Sequence, residues 1–258
     1  MKKILIVRPE ERMEESMRIV ESYGFKGVSA PMIKLVEKMD PEFEFFFKNL
    51  IDNVVDYVIF TSINGIRYTL TKVDDEADFK RRVNGSEIVA IGEPTRRFLE
   101  DMGMTVGLVP KDFSSSGIVA ALSGRDIKGK NIEILRSSHG SEILVSELKG
   151  MGANVHEVQV YSITIPEDLT RQEEVLKSAA RGEVDIFTFT SRMTVLNFLK
   201  VAESAGVKSE ILEAMNNKIV SAIGNPTEEA LIKNKIKVDF VPREFTFEAM
   251  IRGLKDIC

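Results

Sequence analysis

The chain has 258 residues, 43% of them apolar and 29% charged, with a net charge of −5. That length suits one large or two small domains, the composition is that of a globular protein, and no apolar run approaches the roughly 18 residues a membrane span needs. The acidic balance argues against a nucleic-acid binder, whose hold on phosphate rests on massed Lys and Arg, but leaves room for a small anion in one local pocket.

Cysteine and histidine are scarce. Cys258 is the single cysteine, which excludes an internal disulfide framework and fits a reducing compartment. With only His139 and His156, no Cys-x-x-Cys and no His-x-x-x-His, a dedicated metal site is not expected.

In chain order, MKKILIVRP places two lysines before an apolar run too short for the core of a signal peptide. It reads as a first β-strand of a cytoplasmic protein. Glu10-Glu11-Arg12-Met13-Glu14-Glu15 then opens a helical stretch as a solvated face. GVSAP, YVIFTS, EIVAIG and VGLVP follow as short runs rich in Val, Ile and Phe, each separated by ten or more residues of helical periodicity. Buried parallel strands have this look, because crossover helices cover both faces of the sheet and remove polar alternation. The predicted fold class is therefore α/β, with two open, mostly parallel sheets.

The chain also repeats. Arg8 maps to Arg136 and Gly24 to Gly152 with a shift of 128, and Thr61-Ser62 to Thr190-Ser191 with a shift of 129. IVAIGEPT at Ile88 to Thr95 maps to VSAIGNPT at Val220 to Thr227, and VPKDF at Val109 to Phe113 maps to VPREF at Val241 to Phe245, both with a shift of 132. Loop insertions between matched elements explain the growing offset.

The repeated motifs fall at strand ends, where open α/β sheets bind ligands. Ser62 and Ser191 are placed to cap the helices that follow. Thr61 and Thr190 precede them, and Asn64-Gly65 and Arg192 leave the first-turn amides open to an anion. Gly92 and Gly224 allow a sharp turn or a close ligand approach, and Thr95 and Thr227 put hydroxyls near the positive end of a helix. Arg8 and Arg136 close their strands, either snorkelling and pairing with a carboxylate of the protein or offering a guanidinium fork to a carboxylate ligand. No phosphate loop, dinucleotide fingerprint or nucleophile elbow is present.

Taken together, these residues resemble the uroporphyrinogen-III synthases. The resemblance is carried by Leu5-Ile6-Val7-Arg8-Pro9, Gly24-Phe25 leading to Ala30-Pro31-Met32, Asp56 through Ile66, Ala90 through Thr95, Gly152 through Val155 leading to Val160-Tyr161, Phe189-Thr190-Ser191 and Ala222 through Thr227. It implies two flavodoxin-like open parallel-sheet domains joined by a two-stranded linker, with the active site in the interdomain cleft. The expected division is 1–34 plus 165–258 against 38–161, with linkers near 35–37 and 162–164.

The resemblance further implies cyclisation of the linear tetrapyrrole hydroxymethylbilane to uroporphyrinogen III, with loss of water, inversion of ring D, and no metal or cofactor. Tyr161 and Thr227 are the implied catalytic residues. Arg8, Thr61, Ser62, Asn64, Gly92, Thr95, Arg136, Thr190, Ser191, Arg192 and Gly224 are the expected substrate-binding set, in a monomer bound to neither nucleic acid nor membrane. After Arg136 the family commonly has a glycine and a basic residue, whereas this chain has Ser137-Ser138-His139, with His139 as a stand-in. The rival reading is a non-catalytic two-domain small-anion binder or sensor on the same scaffold.

Overall fold

The computed structural model describes all residues from Met1 to Cys258. In chain order the elements are β1 (Lys3–Ile6), α1 (Met13–Ser22), β2 (Lys26–Ser29), β3 (Lys34–Glu37), α2 (Glu42–Ile51), β4 (Tyr57–Phe60), α3 (Ile63–Leu70), α4 (Glu76–Val83), β5 (Glu87–Ala90), α5 (Glu93–Asp101) and β6 (Val106–Leu108). There follow α6 (Ser115–Ser123), β7 (Asn131–Ser137), α7 (Glu142–Gly150), β8 (Asn154–Thr164), α8 (Thr170–Ala180), β9 (Ile186–Phe189), α9 (Arg192–Ser204), α10 (Lys208–Asn217), β10 (Ile219–Ala222), α11 (Asn225–Lys233) and α12 (Phe247–Ile257). No helix is long and apolar enough to cross a membrane.

These elements pack as two compact units, Met1–Lys34 with Thr164–Cys258, and Leu35–Ile163. The first unit holds a four-stranded sheet in the order β2-β1-β9-β10, all parallel. The second holds a six-stranded sheet in the order β3-β8-β7-β4-β5-β6. Renumbered within its repeat, each sheet follows the flavodoxin order 2-1-3-4-5, with β3 added at the edge beside β8 in the second. In the first unit the fifth strand is reduced to a single parallel bridge between Ser221 and Phe240. The second unit reaches the same order with its halves exchanged in sequence, β4 to β6 coming first and β7 to β8 after.

The unalternated apolar runs bury both sheet faces. In β1, Leu5 belongs to one apolar cluster and Ile4 and Ile6 to another; in β4, Val58 and Phe60 face one cluster and Tyr57 and Ile59 the other. Successive side chains of a strand point to opposite faces, so each run of four feeds two cores. Gly24 and Gly152 occupy matched positions after α1 and α7 at φ 81° and 86°, a left-handed backbone that favours glycine after a helix. The segments expected as linkers are hydrogen-bonded strand: residues 34–37 form β3, and residues 162–164 end the 11-residue β8 beside it.

Candidate functional site

In each sheet the strand order reverses at one point, between β1 and β9 in the first unit and between β7 and β4 in the second. Ligands of open α/β sheets sit outside the carboxyl ends of strands at such a reversal. The Thr-Ser pairs follow β4 and β9 there, one in each unit.

In the second unit, Ser62 has an extended backbone and its Oγ accepts the Gly65 N–H at 2.9 Å, capping α3. Glycine at 65 is required by packing, since a Cβ there would lie 2.9 Å from the Leu135 carbonyl oxygen. Ser62 Oγ also lies 3.1 Å from Tyr161 Oη, a contact in which either hydroxyl can donate. If Tyr161 donates, Ser62 keeps a free proton; if Ser62 donates, the phenol keeps one. The pair therefore always holds one hydroxyl proton that neither member needs.

Tyr161 is 6% exposed and stacks on Tyr68 at 5.2 Å between ring centroids and 16° between planes. Its backbone pairs with Ser137 where the β7–β8 register shifts, and its carbonyl accepts the Ser138 N–H at 2.9 Å. Tyr161 thus belongs to the packed core of the second unit, at the edge of the expected 38–161 domain. Nearby, Ser138 Oγ donates to Ser162 Oγ at 3.1 Å and lies 3.2 Å from His139 Nδ1, with His139 itself exposed.

The first unit repeats the cap in a stronger form. Ser191 Oγ accepts the Thr194 N–H at 3.1 Å and Thr194 Oγ1 accepts the Ser191 N–H at 3.2 Å, a reciprocal capping box on α9. Thr61, Asn64 and Thr190 are half-buried without side-chain partners, and Arg192 is exposed and bonds no carboxylate. Of the twelve α-helices, only α3, α6 and α9 have no Asp or Glu in the first turn. At α6 an acid still arrives from outside, because Ser114 Oγ donates to Asp112 at 2.6 Å. Helix starts attract acidic side chains, so the two Thr-Ser helices are those left open to a foreign anion.

The two arginines do not share one environment. Arg136 is 3% exposed, donates from Nε to Glu157 at 2.9 Å and from Nη1 to the Ser141 carbonyl at 2.6 Å, and is spent within its own unit. Arg8 lies just beyond β1, donates to Ser16 Oγ at 2.8 Å and sits 4.6 Å over the Phe247 ring, with no carboxylate partner. Burial lowers its pKa from the ordinary guanidinium value, partly offset by Glu15, yet a guanidinium stays charged. The register explains the contrast. Ile134 pairs with Glu157 on β8, while the equivalent Ile6 pairs with Ser29 on β2, so the repeat puts a serine where the second unit has the carboxylate.

Gly92 and Gly224 cap α5 and α11 with φ of −171° and −179°, extended backbone that any residue adopts, so no sharp turn calls for glycine. What they admit is a ring: a Cβ at Gly92 would lie 3.1 Å from Phe113, and one at Gly224 3.2 Å from Phe245. Thr95 and Thr227, three residues on, are 4% and 3% exposed and make no side-chain hydrogen bond. Sequence reading missed Tyr68, Ser16, Phe247 and the two phenylalanines. Only the last pair left a signal, the repeated VPxxF, which served there as a marker of the repeat.

Fold and strand ends define a two-unit α/β protein whose hydroxyls, amides and half-buried Arg8 guanidinium, without a carboxylate partner, suit a carboxylate-rich organic molecule. A family model described as HEM4, uroporphyrinogen-III synthase HemD, matches residues 14–252, and the chain belongs to the uroporphyrinogen-III synthase family. A Methanothermobacter thermautotrophicus protein named "Putative uroporphyrinogen-III synthase" is 30% identical over 96% of both chains. The uroporphyrinogen-III synthase of Chlorobaculum parvum is 27% identical over 99% of both. Among solved structures, a mutant Thermus thermophilus uroporphyrinogen III synthase superposes with a TM-score of 0.69 at 18% identity, over 99% of this chain and 98% of that one. The Helicobacter pylori enzyme gives 0.67 at 18% identity over the whole of both chains, and at such identity the likeness speaks for the fold.

Proposed function

We propose that this lyase of tetrapyrrole biosynthesis closes hydroxymethylbilane to uroporphyrinogen III with the strand ends just described as its substrate-binding residues. The carrying observation is that α3 and α9, the two helices behind the Thr-Ser pairs, are free of first-turn acid in a protein that places acid on nearly every other helix start. Carboxylates on the substrate's acetate and propionate arms take the place of that acid. Thr61, Ser62, Asn64 and Thr95 serve from the second unit, and Thr190, Ser191, Arg192 and Thr227 from the first. Arg8 supplies the one partly buried cation, while Arg136 shapes the Ser138–His139 turn instead of meeting substrate.

The chemistry starts with a proton. The terminal hydroxyl takes it from the Tyr161–Ser62 pair, the carbon–oxygen bond breaks, water leaves, and the cationic ring is attacked by the substituted carbon of ring D; the bond from that carbon to the ring C methylene then breaks and re-forms at the free α carbon of ring D, whose proton is released and restores the pair. An unguided bilane closes without inversion, so the chain ends must be held together while the cation lives, and positioning supplies most of the rate advantage. Thr227 orients the departing water. A single cysteine without a partner in the chain fits the reducing cytoplasm, and the protein is read as acting there as a monomer.

Supplying freshly prepared hydroxymethylbilane and separating type I from type III product tests the reading. The expected result is a type III fraction well above the uncatalysed level. A product mixture identical to the blank would leave the small-anion binder or sensor in its place.

A further inference from the structure

Of the 15 phenylalanines, three are exposed, and two of those three stand at the same place in the repeat: Phe113 at 58% and Phe245 at 65%. The third, Phe45 at 52%, lies on α2 against the His156 ring. Phe113 precedes Ser114, the cap of α6, and Phe245 precedes Thr246, the cap of α12. An apolar residue there commonly staples onto the fourth residue of its own helix, Ile118 or Met250 here, and such a staple seals its ring. Sealing does not occur. Each ring instead crosses to the glycine that caps a different helix, Gly92 at the end of β5 or Gly224 at the end of β10, and leaves more than half its surface to solvent.

Both glycines have a backbone that alanine adopts freely, so the ring itself accounts for the missing Cβ. Two units thus keep an unsealed aromatic ring at a fixed place. In each, it stands at the carboxyl edge of the sheet, one strand from the Thr-Ser pair, since β5 neighbours β4 and β10 neighbours β9.

We propose that Phe113 and Phe245 are substrate-binding residues, each offering a ring to a pyrrole of the linear tetrapyrrole. The inference rests on the synthase reading and adds what that reading lacks, a surface for the four flat apolar rings between the carboxylate arms. Amides and hydroxyls hold the arms; the phenylalanines hold the rings by offset or edge contact. Gly92 and Gly224 act as positioning residues that let each phenylalanine approach the backbone closely.

The test compares KM for hydroxymethylbilane in Phe113→Ala, Phe245→Ala, Phe113→Tyr, Phe245→Tyr, Gly92→Ala, Gly224→Ala and Phe45→Ala. At the usual strength of one aromatic pair, each Phe→Ala raises KM by roughly threefold to tenfold with kcat and thermal midpoint little changed. The Tyr variants restore KM, and Phe45→Ala, remote from the strand ends, leaves it alone. The glycine variants, which carry no backbone strain, move KM in the same direction as the phenylalanine they displace. Unchanged KM in both Phe→Ala variants overturns the proposal while the synthase reading stands. A fall in sedimenting mass on Phe→Ala also overturns it, since the rings would then serve a second copy of the chain. Wild-type protein that makes no type III product removes the reading and this inference together.

Discussion

Tyr161 and Ser62 share a hydrogen bond, and each residue is held from elsewhere, the phenol by stacking on Tyr68 and the serine by the Gly65 amide. Tyr161→Phe keeps the stack and removes the phenol proton, leaving only the far less acidic Ser62 hydroxyl as a donor. Turnover to type III is expected to fall by about 100-fold, the low end for losing a general acid, while stability changes by ~1 kcal/mol for one hydrogen bond. Wild-type kcat in the variant would send the proton-donor role elsewhere. The arginines give a paired test. Arg136→Met leaves the half-buried Glu157 with only Gln159 as a partner and is expected to destabilise by ~2 kcal/mol in denaturant unfolding. Arg8→Met breaks no ion pair, so its expected mark is a raised KM with a smaller stability change. Sequence alone made these arginines equivalents at a shift of 128. What separates them, Glu157 against Ser29, lies on the neighbouring strand and becomes visible only once register is known.

Elements were more legible than contacts. Unalternated Val, Ile and Phe runs announced the parallel strands because burial on both faces leaves a mark every residue long. The fifth strand of the first unit failed to form as expected: Val106–Leu108 makes β6, whereas its repeat partner makes only the Ser221–Phe240 bridge. The docking of α2 was not legible at all. His156 on β8 holds Glu133 of β7 through Nδ1 at 2.5 Å and Glu42 of α2 through Nε2, and Asn49 of α2 donates to Glu133 at 2.8 Å. Those residues are far apart in sequence and share no pattern. The Glu133 hydrogen bond raises the His156 pKa above the ordinary imidazole value of 6.5, against the opposing effect of burial. A raised folded-state pKa stabilises fully below the unfolded value and is lost as pH rises through the folded one. Unfolding free energy should therefore be greatest below about pH 6.5 for this contribution and decline above it as His156 loses its proton. His156→Gln should flatten that part of the profile in denaturant titrations from pH 5 to 9, and an unchanged slope would show the clamp to be idle.

At the scale of the whole molecule, the repeat and the units are two different divisions of the chain. Sequence similarity cuts it near its middle, whereas packing joins Met1–Lys34 to Thr164–Cys258 and leaves Leu35–Ile163 as the other unit. Matched strand ends survive that exchange because each unit rebuilds the same sheet order, which is why the Thr-Ser pairs could be matched from sequence although the units that carry them interleave. The charge balance then makes a prediction for the whole. A protein of net charge −5 receives a substrate that carries carboxylates on its acetate and propionate arms, and long-range attraction between net charges cannot assist the encounter. In the proposed site, amides and hydroxyls at short range, with Arg8 and Arg192 as its cations, act well inside the screening length of about 10 Å at 0.1 M salt. Raising salt from about 0.05 to about 0.5 M screens the repulsion between protein and substrate as well as the few attractions, so KM should move by less than about threefold. A basic cluster would behave otherwise, each paired charge adding to a steep loss of affinity with salt. Measuring KM for hydroxymethylbilane across that range decides between the two, and a rise of tenfold or more would mean that cations, not helix starts, carry the binding.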